Sequence, residues 1–237
     1  MTNEHACLCF PRMVEIPAGE FIMGETAHDK FAGATERPAH NVKIQRPFLL
    51  GRFPVTVGEY QAFDPRHASG EEHGLPVVNV SWDDACAYCA WLAEETGSTF
   101  RLPTEAEWEY ACRAGSRDPF AYGPEITARD ANFLHDEYCV RVGPGRRTLE
   151  GAYPPNAFGL HDMHGNVCEW VQDAWHPDYI GAPDDASAWL AGPSQPCRVI
   201  RGGAWDYMPR LLRAAWRDWL PQAGRRDNVG FRIARAY

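Results

Sequence analysis

The sequence predicts a mixed α+β fold, with strands near both ends of the chain and helices between them. Segments near the two ends of the 237-residue chain alternate apolar and polar residues, which is typical of strands. Two capped segments between residues 81 and 113 have the spacing of helices. Residues 114–155 and 172–197 are rich in glycine, proline and charged residues and show little periodicity, which predicts long loops.

Composition is typical of a single globular domain. Hydrophobic residues make up 45% of the chain and aromatic residues 12%, and we expect one domain over residues 13–237 after a flexible N-terminus of residues 1–12. A net charge of −9 without any long Lys/Arg run argues against a nucleic-acid partner. No apolar run is long enough for a membrane span, and residues 1–10 lack the pattern of a secretory signal. The sequence therefore predicts a cytoplasmic protein with no membrane partner, whose cysteines are free thiols.

The first third of the chain predicts strands followed by a short helix. Residues 13–24 alternate around a Pro-Ala-Gly turn, which predicts a β-hairpin, and residues 42–50 predict the next strand. Thr56 is a plausible cap for a first helix over residues 56–63.

Two longer helices and two terminal strands follow. Residues 76–82 read as an extended run, after which Ser81 caps a helix that continues to Thr96 and stops at Gly97. A capping box begins the next helix, which continues to residue 113. Residues 198–203 and 229–235 predict strands near the end of the chain.

Several motifs in a fixed order carry a resemblance to a known family. They are Arg101-Leu-Pro-Thr-Glu-Ala-Glu-Trp-Glu-Tyr110, Asn156-Ala-Phe-Gly-Leu-His-Asp-Met-His-Gly-Asn-Val-Cys-Glu-Trp170, Arg201-Gly-Gly-Ala-Trp205 and Asn228-Val-Gly-Phe-Arg232. Over nearly its whole length the chain resembles the formylglycine-generating enzyme, or sulfatase-modifying factor, family. The resemblance implies a C-type-lectin-like α+β fold, with a twisted antiparallel sheet, two main helices and much irregular loop.

The copper site of that family has no counterpart in this sequence. The family oxidises a cysteine of sulfatases to formylglycine, using copper held by two cysteines shortly after a Gly-Gly-Ser/Ala step. Here residues 204–213 contain no cysteine, and Ala204 stands at the serine position. A Cu(I) site needs soft thiolate ligands, so we expect neither bound copper nor formylglycine formation.

Calcium is the cofactor that the resemblance does imply. The family's calcium loop corresponds here to Asp162, Gly165, Val167 and Glu169. Oxygen ligands at close spacing on a glycine-bearing turn are what Ca²⁺ prefers. In the alternative, the fold is metal-free and Glu169 pairs with an arginine. A second family site would begin at Asn132 and the carbonyl of Phe133, although its downstream aspartate has no counterpart.

The C-terminal region predicts a ligand pocket in place of the copper site. Aromatic, arginine and carboxylate side chains are typical of recognition surfaces. The predicted wall consists of Trp205, Asp206, Tyr207, Arg213, Trp216, Arg217, Asp218 and Trp219. Candidates for chemistry are Asp206, Tyr207 and Cys168, which replaces a family tryptophan at the expected pocket floor and could either react or simply pack.

The sequence is compatible with two functions. One is a calcium-stabilised module that binds a protein, a peptide or a small molecule, as do the variable proteins of diversity-generating retroelements, which share this fold. Trp216, Trp219, Met208 and Gln222 argue against the retroelement case, because adenine mutagenesis does not readily produce their codons. The alternative is a divergent oxidative or tailoring enzyme, akin to family members in siderophore maturation.

Overall fold

A computed structural model describes residues 10–26, 29–191 and 197–236. The predicted flexible N-terminus over residues 1–12 lies mostly outside the described residues, so it stays a prediction, as does the single domain over 13–237. The α+β class is confirmed, since the described chain contains both helices and sheets. None of the described helices is long and apolar enough to cross a membrane.

Ten strands and three helices make up the regular structure of the described residues. The strands are β1 (Met13–Ile16), β2 (Gly19–Met23), β3 (His40–Ile44), β4 (Phe48–Gly51), β5 (Phe100–Arg101), β6 (Cys168–Ala174), β7 (Cys197–Arg201), β8 (Arg217–Pro221), β9 (Val229–Phe231) and β10 (Ala234–Ala236). The helices are α1 (Val57–Gln61), α2 (Trp82–Thr96) and α3 (Glu105–Arg113). The strands form a four-stranded sheet β1-β4-β10-β5, a pair β2-β3, and a second four-stranded sheet β8-β7-β6-β9.

The predicted helix starts are confirmed. Each helix begins with a reciprocal capping box, in which a hydroxyl accepts from a backbone N–H three residues on and a carboxylate accepts from the cap's own N–H. The pairs are Thr56 with Glu59, Ser81 with Asp84, and Thr104 with Glu107. Gly97 ends α2 in the left-handed conformation, with φ of 67°.

The predicted hairpin over residues 13–24 is wrong. Strands β1 and β2 form there, but β1 pairs with β4 and β2 pairs with β3, in different sheets. A tight hairpin turn needs residues with positive φ, and none of residues 17–19 has one. The predicted strand over residues 42–50 is likewise two strands, β3 and β4, separated by residues 45–47.

The C-terminal strands also differ from the prediction. Residues 229–235 divide into β9, which pairs in parallel with β6, and β10, which pairs with β4 in the other sheet. Strands β6 and β8 were not predicted. Strand β6 is buried along most of its length and therefore lacks the alternation that marks a half-exposed strand.

The β8-β7-β6-β9 sheet separates two parts of the core and thereby positions the functional residues. On one face Cys168, Trp170 and Ile200 pack in the cluster that contains α2. On the other face Val171 and Val199 pack in the cluster that contains α3. Because side chains alternate along a strand, neighbouring residues of the signature motifs lie on opposite sides of the sheet.

The capping carboxyl of α1 predicts a measurable pH effect. Burial raises the pKa of Glu59 from 4.5 to about 7. The folded protein therefore holds a proton that the unfolded chain releases, so its contribution to stability is complete below pH 4.5 and is lost as the pH rises through about 7. The side chain of Glu59→Gln cannot ionise. In this variant we expect the decrease in unfolding free energy with rising pH to be smaller by on the order of 2 kcal/mol.

Urea unfolding at pH 5 and pH 8 measures this change. The difference in unfolding free energy between the two pH values should shrink in Glu59→Gln. The matched variant is Glu125→Gln, which changes an exposed glutamate and should leave the difference as in the wild type. An equal pH dependence in all three proteins would contradict the assignment.

Candidate functional site

Cys168 and Tyr207 form the centre of the site that the C-terminal motifs build. Cys168 is the first residue of β6 and is fully buried. The Tyr207 side chain packs against the core cluster that contains Cys168, and its hydroxyl lies near the thiol. The Tyr207 ring lies edge-on to Trp216, with ring centroids 5.6 Å apart. The predicted candidates Cys168 and Tyr207 are therefore neighbours in the fold.

Two carboxylates flank this pair. Asp206 is exposed and accepts hydrogen bonds from Asn228 Nδ2 at 3.0 and 3.1 Å. Asp218, on edge strand β8, is opposite Ile200 in register and so lies on the Cys168 face of the sheet. We call the group Trp205, Asp206, Tyr207 and Asp218 the C-terminal surface.

The environment of Cys168 keeps its sulfur protonated. Burial raises the pKa of the Cys168 thiol well above its ordinary value, and the carboxylates of Asp206 and Asp218 raise it further. Burial likewise raises the pKa of Tyr207, with Cys168 and the same two carboxylates adding to the effect. Because the thiolate is the reactive form of cysteine, this site does not supply a ready nucleophile at neutral pH.

The donor set of this site does not match a copper centre. A Cu(I) centre needs soft thiolate ligands, and residues 204–213 contain no cysteine. Ala204 is fully buried and offers no side-chain ligand. Cys168 brings a single thiol, held within the core cluster.

The predicted role of Arg213 in the pocket wall is wrong. Its guanidinium lies in the core and forms ion pairs with Asp29 at 2.6 Å and Glu36 at 2.7 Å. These partners lie more than 170 residues earlier in the chain, and both are buried with it. Arg213 therefore links the N-terminal and C-terminal regions through buried ion pairs and is not available to a ligand.

Arg217 is also buried with partners in the protein interior and does not line the pocket. Both oxygens of Glu105 accept from its guanidinium, each at 2.8 Å, and the carbonyls of Thr35 and His176 accept as well. The guanidinium also lies over the Tyr179 ring, 4.2 Å from the centroid. Without Arg213 and Arg217, the predicted wall consists of carboxylates and aromatic rings.

The two tryptophans near Arg217 occupy different environments. Trp216 is 9% exposed and belongs to the α2 core cluster, so its role is mainly packing. Trp219 is 42% exposed, but it is opposite Val199 in register and so lies on the other face of the sheet. Its ring is 6.5 Å from that of Trp175. The predicted wall is thus divided between two surfaces.

Neither of two cavities in the structure coincides with the C-terminal surface. A cavity of about 1050 Å³ lies beside β2 and the end of α3, and one of about 580 Å³ lies beside β4 and residues 185–188. No residue from 204–219 lines either cavity. The C-terminal surface is therefore distinct from both.

The predicted calcium loop places Asp162 in the interior. Asp162 has φ of 57° and is 5% exposed. Its Oδ2 atom has no hydrogen-bond partner in the described part of the chain. Burial raises the pKa of Asp162 to about 7; the nearby Arg232 opposes the shift and Glu169 adds to it. A buried carboxylate oxygen without a partner is a donor that fits a hard cation.

Glu169 is engaged with Arg232, as the metal-free alternative predicted. Arg232 donates to its two oxygens at 2.6 and 2.7 Å, and Trp108 Nε1 donates at 2.7 Å. These bonds use three of the roughly four lone-pair positions of a carboxylate, which leaves one on Oε1. Gly165 and Val167 supply backbone at the same turn, where the Gly165 carbonyl accepts from Val167 N at 2.9 Å.

The second predicted calcium position shows a similar feature. Asn132 is buried, and its Oδ1 atom has no partner within the described segments. Its Nδ2 donates to Asn166 Oδ1 at 3.1 Å, which links the two loops. Phe133 is buried in a small core cluster. No group of three or more His, Cys, Asp or Glu side chains in the described residues is arranged to hold a metal ion.

Sequence reasoning missed the residues that hold the site together. Asn228 was quoted only as part of a motif. Its side-chain amide donates to Asp206, and its backbone carbonyl accepts from Cys168 N at 2.9 Å. Asn166 O accepts from Trp205 N at 3.0 Å. Both asparagines lie in the quoted motifs, and that membership was the available signal.

Comparisons with known proteins agree with this architecture. A family model described as a sulfatase-modifying factor enzyme 1-like domain matches residues 2–237. The formylglycine-generating enzyme of Bos taurus is 35% identical over 289 residues, covering 94% of this chain and 74% of that protein. The structure of PvdO from Pseudomonas aeruginosa has a TM-score of 0.85 at 36% identity, covering 96% of this chain and 95% of that one.

The fold is also shared with a variable protein. Treponema denticola variable protein 1 has a TM-score of 0.75 at 26% identity, covering 95% of each chain. Family model, sequence relative and solved structures thus agree over nearly the whole length. The chain belongs to the family of sulfatase-modifying factor enzyme 1-like domains.

Proposed function

We propose that this protein is a binding module that recognises a cationic segment of a protein or peptide through the C-terminal surface. The observation that carries the proposal is the pair of carboxylates, Asp206 and Asp218, beside the partly exposed rings of Trp205 and Tyr207. Neither carboxylate forms an ion pair with a described arginine or lysine. The surface therefore presents negative charge and aromatic faces together.

Cationic side chains suit such a surface for two physical reasons. An ammonium or guanidinium group is attracted both to carboxylates and to the face of an aromatic ring. The surface coincides with neither described cavity, which favours an extended partner over a small enclosed ligand. The protonated thiol of Cys168 also favours recognition over nucleophilic chemistry.

Titration with short charged peptides tests the proposal. Acetylated, amidated trilysine should bind, and the triglutamate analogue should not. Asp206→Asn and Asp218→Asn should each weaken trilysine binding at least fivefold, whereas Asp227→Asn, at a nearby exposed aspartate, should not. Equal binding of both peptides, no binding of either, or an equal loss in all three variants would overturn it.

The retroelement variable proteins are a narrower form of the same proposal. The similarity to Treponema denticola variable protein 1 supports it. Trp216 is buried in the core, so a diversified surface would have to use its neighbours. A reverse transcriptase gene beside this gene, with a near-identical repeat, would support the narrower form, and their absence from the genome would remove it.

Calcium is proposed as a structural ion at the Asp162 loop. The unpartnered Oδ2 of Asp162 and the remaining lone pair of Glu169 Oε1 support it. In thermal unfolding, 1 mM Ca²⁺ added after treatment with EGTA should raise the melting temperature by several degrees, because a ligand of the folded state stabilises it. Asp162→Asn should abolish the rise, because asparagine tolerates the left-handed backbone but lacks the charge. An equal rise in that variant would contradict the site.

An oxidative or tailoring enzyme, as in siderophore maturation, is the second candidate. It is favoured by the proximity of Cys168 and Tyr207, two oxidisable side chains, beside two carboxylates. Reaction with iodoacetamide at pH 8, followed by peptide mapping, distinguishes the candidates. We expect rapid labelling of exposed Cys139 and at least a hundredfold slower labelling of buried Cys168. Comparable rates at both cysteines would favour the enzyme.

The remaining expectations from the sequence stay proposals. We infer a cytoplasmic location, with neither nucleic acid nor membrane as partner. The net charge of −9 supports the second point, because phosphate-bearing surfaces are bound by positive charge.

A further inference from the structure

The larger cavity lies on the opposite side of the β8-β7-β6-β9 sheet from the C-terminal surface. Its volume is about 1050 Å³, and it opens between the β2-β3 pair and the C-terminal end of α3. That is the upper end of the size range of small-molecule sites. No residue of the C-terminal surface lines it.

One part of the cavity lining is aromatic. Phe21, Tyr110 and Phe158 all line it. The Tyr110 ring lies 5.3 Å from the Phe21 ring and 5.8 Å from the Phe158 ring, both tilted. Such a row of rings offers faces and edges to a further ring, because tilted and offset aromatic pairs are favourable.

One hydroxyl of the aromatic lining is available to a ligand. The Tyr110 hydroxyl makes no hydrogen bond within the described chain and is not among the buried atoms without a partner. It can therefore donate to or accept from a polar atom of a ligand without the loss of an existing bond.

The charges of the lining leave an excess of cations. Arg37 is paired with Glu25 at 2.6 Å, Arg113 with Glu109 at 2.7 Å, and Asp29 with Arg213 at 2.6 Å. The lining residues without an ion pair to another described residue are Lys30, Arg117 and Glu20. Two cations against one carboxylate favour an anionic ligand.

We propose that this cavity is a second ligand site, which binds a small aromatic molecule carrying a carboxylate. Its ring packs on Phe21, Tyr110 and Phe158, and its carboxylate is met by Arg117 and Lys30. The Tyr110 hydroxyl binds its polar substituent. The site is independent of the function proposed for the C-terminal surface, since it shares no side chain with it.

We test this site by titrating the whole protein with 4-hydroxyphenylacetate. Binding is measured by isothermal titration calorimetry and by ligand-observed NMR. The neutral analogue 4-hydroxyphenylacetamide should bind at least tenfold more weakly. Arg117→Gln should weaken binding of the acid at least fivefold while leaving the amide unchanged, and Phe158→Leu should weaken both. The matched control is Arg226→Gln, an exposed arginine outside the lining, which should have no effect.

The outcomes separate this site from the C-terminal surface. Asp206→Asn should leave binding of 4-hydroxyphenylacetate unchanged, so failure of the trilysine test does not decide this one. Equal affinity for acid and amide, no effect of Arg117→Gln, or no binding at 10 mM would overturn the proposal. Arg117 is exposed, so its replacement tests the charge without risk to the fold.

Discussion

Replacing Glu109 by glutamine is expected to destabilise the protein by about 3–5 kcal/mol, the loss typical of a broken buried ion pair. Glu109 lies on α3 and is fully buried. Its Oε1 accepts from Arg113 Nε at 2.9 Å, from Arg113 Nη2 at 2.7 Å and from Gly24 N at 2.9 Å. Its Oε2 accepts from Arg201 Nη2.

The size of the loss follows from what remains after the substitution. Glutamine keeps the shape but not the charge, so the guanidinium groups of Arg113 and Arg201 would stay buried with reduced compensation. Of its ion-pair partners Arg201 would retain the more distant Glu105, at 3.4 Å, beside its hydrogen bond to the neutral Trp216 carbonyl. A loss of this size is a large fraction of the 5–15 kcal/mol that stabilises a typical domain.

Urea unfolding of Glu109→Gln and Glu137→Gln measures the effect against a matched change. Glu137 forms a surface ion pair with Arg210, whose side chain is 46% exposed, so its replacement should cost less than about 1 kcal/mol. If the two variants lost equal stability, the buried network would contribute no more than a surface pair. The Gly24 amide donates to Glu109. If Glu109→Gln also loosened the segment beside the larger cavity, hydrogen exchange of the Gly24 amide would become faster.

Local signals explain why the helices could be predicted. A capping box is read from residues three positions apart, so Ser81 with Asp84 and Thr104 with Glu107 are visible in the sequence. Strand pairing is not local. The partners of β1 and β2 lie in β4 and β3, and nothing in residues 13–24 distinguishes these pairings from a hairpin.

The arginines show the same limit within the site. Arginine is usually exposed, so Arg213 and Arg217 were reasonable members of a pocket wall. Their partners Glu36 and Glu105 are distant in sequence, and only the fold shows that the charges meet. By contrast, the ion pair between Glu169 and Arg232 joins two quoted motifs and was recognised as an alternative to calcium.

Replacing Gly230 by alanine is expected to cost about 3 kcal/mol, because overpacking against backbone cannot be relieved by a rotamer change. A Cβ added at Gly230 would lie 2.2 Å from the Val77 carbonyl oxygen. Gly230 is in β9 and pairs with Glu169 of β6. Glycine within a strand often marks such a close approach of another chain segment.

The same substitution should also weaken ligand binding at the C-terminal surface. To relieve the clash, β9 or the segment around Val77 must move, and β9 is preceded directly by Asn228, which fixes Asp206. We therefore expect Gly230→Ala to lower both the unfolding free energy and the affinity for trilysine. Gly33→Ala is the matched control, since its added Cβ would meet nothing nearer than 3.7 Å.

The pattern across the two measurements is what distinguishes the physical cause. Loss of stability alone would mean that the movement is absorbed in the segment around Val77 and leaves Asn228 in place. Loss of both would mean that β9 itself moves and carries Asn228 with it. Unchanged stability would contradict the close packing of β9 against Val77, and with it the placement of the C-terminal surface beside β6.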